Sequence, residues 1–190
     1  VGGGPAGAAA AYWLASSGID VLVVEKKHYP RQKTCGDGLT PRSVHQLEQM
    51  GLADDLAPHH RYKGLRANAY GRAIAMNWPE HPELPSHGYV VTRADLDGLV
   101  AARAEKAGAV IWQGAEAVAP LPEPASPAGG GPVRSSGDGG DPGGGGAGRA
   151  PRGVGPLHPA GGAVVTDRAR GTTTEVRARY VIVADGSLSR

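Results

Sequence analysis

Six residues near the start of the chain, Gly2-Gly3-Gly4-Pro5-Ala6-Gly7, have the spacing G-x-G-x-x-G. Glycine at these places suits the binding of a dinucleotide diphosphate. Gly2 permits a tight turn, Gly4 lets the phosphates approach the backbone, and Gly7 lets the next helix pack close to a sheet. The helix N-terminus then turns free N–H groups toward the phosphates. In a chain with 31 glycines the pattern alone is weak. Its context strengthens it, because a helix-forming stretch follows at once and a short apolar run then ends in Glu25. A carboxylate there can accept a hydrogen bond from a ribose hydroxyl. The alternative is a glycine-rich turn with a solvated glutamate.

Three further places could carry chemistry. Arg93 stands in the first turn of an expected helix, where a guanidinium can reach a phosphate or a ribityl oxygen with several donors. Taken by itself it reads more readily as a surface arginine. Asp185-Gly186 follows an apolar run, and ligands of α/β sheets bind at the carboxyl ends of strands. Asp-Gly is also an ordinary turn. Cys35-Gly36-Asp37-Gly38 is a small loop before a helix, whose glycines could let backbone approach a planar ring. Cys35 has no base beside it in sequence and reads as a small hydrophobe rather than a nucleophile. No metal site is expected, since His59 and His60 are adjacent and nothing lies at ligand spacing from Cys35.

The elements that must hold these residues are readable in outline. Residues 5–17 are rich in alanine, open on Pro5 and close on Gly18, which predicts a helix. Residues 19–25 are a nearly continuous β-branched run, which predicts a parallel strand buried on both faces. Residues 26–39 read as a polar loop. Thr40-Pro41 begins a second helix with Val44 and Leu47 on one face, ended by Gly51. Residues 63–91 alternate weakly and read as strands of a second, smaller layer. Thr92-Arg93-Ala94-Asp95 resembles a capping box with Asp in place of Glu. The helix after it carries Leu96, Leu99, Val100 and Ala104 at helical spacing and stops at Gly108. Residues 110–112 predict a strand, residues 115–119, 163–167 and 173–176 three short antiparallel strands, and residues 180–184 another buried strand. The expected class is α/β, a Rossmann-like parallel sheet with helices and a three-stranded antiparallel crossover.

Between residues 120 and 162 the composition collapses into Gly, Pro, Ser and Ala. Such a stretch cannot bury enough apolar surface to offset its ordering entropy. It is expected to be a disordered insertion in a hairpin, dividing the dinucleotide domain into residues 1–119 and 163–190. Net charge is +2, so no strong field argues for nucleic acid. The single cysteine fits a reducing, cytoplasmic compartment. No signal peptide is expected, and the longest apolar stretch, residues 8–15, is too short to span a bilayer. The glycine motif begins at residue 2, so only Val1 stands where a dinucleotide fold places a strand. A piece of a longer protein, cut at both ends, is the expectation.

These motifs occur in a telling order: Gly2 to Gly7, Lys33-Thr34-Cys35-Gly36-Asp37-Gly38-Leu39-Thr40-Pro41-Arg42, Thr92-Arg93-Ala94-Asp95-Leu96-Asp97, and Ala184-Asp185-Gly186. Together they resemble the geranylgeranyl reductase family of FAD-dependent oxidoreductases, within the para-hydroxybenzoate hydroxylase-like group. The Cys35 to Arg42 stretch, Gly64-Leu65-Arg66 and Trp78-Pro79 are most similar to its actinobacterial menaquinone reductase branch, which saturates a double bond of the quinone tail. The resemblance implies that Gly2, Gly4, Pro5, Ala6 and Gly7 bind the FAD diphosphate, with Glu25 on the adenosine ribose and Lys26 beside it. It places Cys35, Gly36, Asp37 and Gly38 along the flavin side, Arg93 on the cofactor, Ala117 near the adenine end, and Asp185 and Gly186 near the diphosphate. It also implies an electron donor, NAD(P)H or a small redox protein, and a prenyl lipid or quinone substrate. Membrane contact would be peripheral, at the inner face of the cell membrane, through a C-terminal part beyond residue 190 or loops near Trp78. The resemblance identifies no catalytic residue here. The competing expectations are an FAD-dependent aromatic monooxygenase and a non-catalytic FAD-binding fragment of a broken gene.

Overall fold

The structure, a computed structural model, describes residues 1–33, 36–122 and 161–186. Thr34, Cys35, residues 123–160 and residues 187–190 lie outside it. The expectations for the Cys35 thiol and for most of the Gly/Pro-rich insertion therefore fall outside the described residues.

Helix α1 spans Pro5–Ser16 and begins, as the sequence indicates, with proline in its first turn. Strand β1 follows at Leu22–Glu25. The expected strand began at residue 19, and it is shorter because Ile19 is committed to the end of the helix. Its N–H donates to the Leu14 carbonyl while the Gly18 N–H donates to that of Ala15. This is a Schellman ending, with Gly18 left-handed at φ 77°. Both faces of β1 are covered from residue 23 onward, whereas Leu22 is 38% exposed.

Helix α4, Arg93–Lys106, packs against α1, and the strand after it, β7 at Val110–Gln113, pairs parallel with β1. Pleating sends Val23 and Val24 to opposite sides. Val23 joins Ala11, Ala104 and Ala109 between sheet and helices. Val24 joins Ala115, Ala163 and Val165 on the other side. There a three-stranded antiparallel sheet forms from β8 (Ala115–Leu121), β9 (Gly162–Asp167) and β10 (Thr172–Arg177), with β9 in the middle. The insertion was expected to begin at residue 120, but Pro120 and Leu121 pair with Ala163 and Gly162. A proline is tolerated there because β8 is an edge strand and needs no donor on its open side.

The second layer departs from expectation in arrangement. Residues 63–91 do not make one sheet. Strands β4 (Gly64–Ala69) and β5 (Arg72–Asn77) form a separate hairpin through a turn at Tyr70 and Gly71, both at positive φ, as a type I′ turn requires. Strand β6 (Gly88–Val90) pairs instead with β3 (His60–Tyr62) and with β2 (Gly38–Leu39), which lies in the stretch expected to be a polar loop. The close approach of Leu39 explains Gly88, where a Cβ would stand 2.2 Å from the Leu39 carbonyl oxygen. Helix α2 (Pro41–Gln49) and a short α3 (Ala53–Leu56) seat Val44, Leu47, Met50 and Leu56 against Leu96 and Val100 of α4.

Residues 180–184 are not a strand. Tyr180, Ile182 and Val183 are 85%, 50% and 68% exposed. Among the described residues, Val1 alone pairs with this segment. The Val1 nitrogen donates to the Ile182 carbonyl at 2.7 Å and the Ala184 N–H donates to the Val1 carbonyl at 2.7 Å. These are the bonds of one parallel pairing, too few for a ladder. The Gly2 N–H in turn donates to the Val24 carbonyl, so Val1 and Gly2 lie between β1 and residues 182–184.

Candidate dinucleotide site

The turn from Gly2 to Gly7 lies at the carboxyl end of β1, and each glycine answers to a different demand. Gly2 has φ 91°, and a Cβ on it would stand 2.6 Å from the Ala184 carbonyl oxygen. A Cβ on Gly7 would stand 1.9 Å from the Gly2 carbonyl oxygen. A Cβ on Gly4 would meet only the tip of Arg31, at 3.2 Å. Gly4 is thus the position where absence of a side chain serves open space rather than the chain's own packing. Helix α1 begins there with no side-chain cap on its first N–H groups, an arrangement suited to an anion.

Glu25 closes the turn from behind and is 4% exposed. Its Oε2 accepts the Gly3 N–H at 2.8 Å and its Oε1 accepts the Lys27 N–H at 3.0 Å. The Tyr29 hydroxyl donates to the Gly3 carbonyl, and the Tyr29 N–H donates at 2.8 Å to Gln113 at the end of β7. The turn is therefore held by groups from both parallel strands. Burial pushes the Tyr29 phenol up to about 12, and the nearby Glu25 carboxylate adds to the shift. Since the folded value lies above the ordinary 10, the neutral phenol favours the fold below pH 10, and this contribution is lost as pH rises toward 12. Tyr29→Phe should therefore lose stability less steeply than the wild type in denaturant titrations run from pH 9 upward, about a unit below the free phenol.

A second group converges from α4. Thr92 caps this helix, its Oγ1 accepting the Asp95 N–H at 3.2 Å and donating to the Asp95 carboxylate at 2.7 Å. The shorter Asp side chain thus closes on the Thr hydroxyl. Asp37 accepts the Arg93 N–H at 3.2 Å on its carboxylate and the Val91 N–H at 2.9 Å on its carbonyl, which ties the Gly36–Gly38 loop to the start of α4. The Arg93 guanidinium grips Asp97 with two bonds, 2.9 and 3.1 Å. Asp97 also pairs with Arg31 at 3.1 Å, and Arg31 lies 3.7 Å from Glu25. Arg93 is thus no surface arginine but 9% exposed, and it is linked through Asp97 and Arg31 to the glycine turn.

The structure brings Gly2, Gly4, Pro5, Ala6, Gly7, Glu25 and Asp185 around one turn, while Gly186 stands beside Lys33. The Asp185 nitrogen stands 3.1 Å from the place of a Gly2 Cβ. It does not bring Lys26 or Ala117 there. Lys26 points to Glu116 at 4.0 Å, and Ala117 packs beside Val24 and Val165. Tyr29 and Arg31 lie in a stretch whose sequence reads as plain loop, and the sequence signal for Asp97 is its place four residues after Arg93. A groove of about 570 Å³ beside Pro30, Asp55, His59 and Asp95 contains none of the turn's glycines, and its carboxylates suit no phosphate.

Comparison with known proteins agrees with this geometry. The FAD binding domain family model matches residues 1–128. Menaquinone reductase of Mycobacterium tuberculosis is 50% identical over 119 residues, which are 63% of this chain and 29% of that protein. Rifampicin monooxygenase of Rhodococcus hoagii is 35% identical over 121 residues, 63% of this chain and 25% of that protein. Among solved structures, a geranylgeranyl bacteriochlorophyll reductase-like protein from Thermoplasma acidophilum superposes with a TM-score of 0.62 at 26% identity, covering 98% of this chain and 38% of that one. The chain thus spans less than a third of the length of these curated relatives.

Proposed function

The chain belongs to the FAD binding domain family, and from that premise we propose that it is the cofactor-binding part of an oxidoreductase that saturates isoprenoid carbon–carbon double bonds. The observation that carries this reading is the 50% identity to menaquinone reductase over 119 residues. Two features of the site fit FAD itself. Gly4 leaves open the space that a Cβ would fill, and the buried Arg31 Nε has no hydrogen-bond partner among the described residues.

In this reading the N–H groups that open α1 receive the diphosphate, and Arg31 and Arg93 add positive charge. Glu25 has a second task besides pinning Gly3, which is to orient the adenosine ribose. The Gly36–Gly38 loop, fixed by Asp37 to α4, borders the flavin end. When bound and reduced, FAD would supply a hydride to the alkene, and a proton from solvent would complete the saturation. The electrons come from NAD(P)H or a small redox protein. The substrate is a prenyl lipid or a quinone carrying a prenyl tail. No described helix is long and apolar enough to cross a membrane, and contact with the inner face of the cell membrane is proposed as peripheral.

Arg93→Ala is expected to weaken FAD binding by roughly 1.5–3 kcal/mol, the value of one hydrogen bond from a charged group. Titration of the apoprotein, followed by flavin fluorescence, measures it. The function itself is tested by product analysis. The protein expressed from its full reading frame, supplied with NAD(P)H and either menaquinone or a geranylgeranyl lipid, should yield a product heavier by two hydrogens. A second reading, an aromatic monooxygenase, is favoured by the 35% identity to rifampicin monooxygenase. Oxygen-dependent hydroxylation of a soluble aromatic, with every prenyl lipid left unreduced, would promote it.

A further inference from the structure

Asp97 is the one acidic side chain of α4 that is wholly buried, at 0% exposure, and it sits between two guanidinium groups. Its Oδ1 accepts from Arg93 Nε at 2.9 Å, and its Oδ2 accepts from Arg93 Nη2 at 3.1 Å and lies 3.1 Å from Arg31 Nη2. Packing alone does not require a carboxylate there, since a buried ion pair is commonly no more stable than apolar groups of equal volume. What the carboxylate does provide is position, because a planar guanidinium held at one nitrogen has the rest of its plane fixed. Arg31, whose side chain is 9% exposed, is held at Nη2 by Asp97 and Glu25, and that nitrogen lies 3.2 Å from where a Gly4 Cβ would be. Its Nε is buried and has no hydrogen-bond partner among the described residues. A buried donor left unmade is costly, so its retention in a side chain whose Nη2 lies against Gly4, at the uncapped start of α1, points to an acceptor supplied from outside the chain.

We propose that Asp97 is the positioning residue of the diphosphate site, holding Arg31 against Gly4 so that the phosphate oxygens of a dinucleotide complete its hydrogen bonds. The proposal rests on the FAD reading above. It predicts a selective defect: Asp97 matters for ligands that carry a diphosphate and not for those that lack one.

The test uses the full-length protein stripped of flavin, with ADP and adenosine as probes of one end of the cofactor and FAD and riboflavin as a second pair. Asp97→Asn keeps the shape and removes the charge. It should lower affinity for ADP and FAD by about tenfold or more, the loss of one charged hydrogen bond. Adenosine and riboflavin should bind Asp97→Asn as they bind the wild type. Arg31→Lys, which keeps the charge and loses the planar fork, should show the same selective loss and decides the matter if Asp97→Asn does not fold. Unchanged ADP affinity in a folded variant overturns the proposal. So does an equal loss for adenosine and ADP, which would mark Asp97 as merely structural. A wild type that binds neither FAD nor ADP would instead sink the FAD reading, and this proposal with it.

Discussion

Replacing Gly4 by valine is expected to give a folded protein without flavin. Gly4 lies at φ −71° and ψ −179°, an extended conformation that valine adopts readily. A Cβ there would meet only Arg31 Nη2, at 3.2 Å, a side-chain tip that need give by only a few tenths of an ångström. The chain can therefore accommodate the substitution. A diphosphate approaching the N-terminus of α1 cannot, because the added methyl groups occupy the space through which phosphate oxygens reach the backbone N–H groups. The visible absorbance of flavin should disappear from the purified variant, while its far-ultraviolet circular dichroism should match the wild type.

Replacing Gly7 by alanine is expected to fail in the opposite way. Here a single methyl group would stand 1.9 Å from the Gly2 carbonyl oxygen, which is backbone and cannot rotate aside. Gly2 is itself confined, with its N–H bonded to Val24 and its Cα facing the Ala184 carbonyl. Relief would require α1 to lift from the sheet and take Ala8 and Ala11, both fully buried, with it. The cost should reach about 3 kcal/mol or more, the upper end for overpacking. A lower urea midpoint with an unchanged slope would report it. The pair divides the motif into one glycine kept for a ligand and one kept for the fold. Equal loss of stability in Gly4→Val and Gly7→Ala would remove that distinction.

Features set by residue type at one position were legible in the sequence. Gly18, Gly51 and Gly108 each end a helix with positive φ, and Thr92 caps α4, because these geometries depend on the local chain. The Gly2 to Gly7 turn and Glu25 were legible for the same reason. Features that depend on distant partners were not. Residues 180–184 carry the composition of a buried strand, yet whether they pair is decided by Val1 at the other end of the chain. Gly38–Leu39 looked like loop because its partner, β6, lies about fifty residues away. Tyr29 and Arg31 looked like ordinary loop residues until the fold carried them beneath Gly3 and Gly4. Arg93 read more readily as a surface residue because its N–H is bonded to Asp37, far off in sequence, and its partner Asp97 is shared with Arg31, which no local pattern reveals.

Reduction of the prenyl chain by the flavin is tested most directly by an anaerobic single turnover. The full-length protein, with its flavin reduced in advance, is mixed with menaquinone or a geranylgeranyl lipid in the absence of oxygen and of any other electron acceptor. Oxidised-flavin absorbance should return and the prenyl chain should gain two hydrogens in equal amount. Flavin that stays reduced with every prenyl lipid, and is reoxidised only when oxygen is admitted, with a hydroxylated aromatic as product, would contradict it.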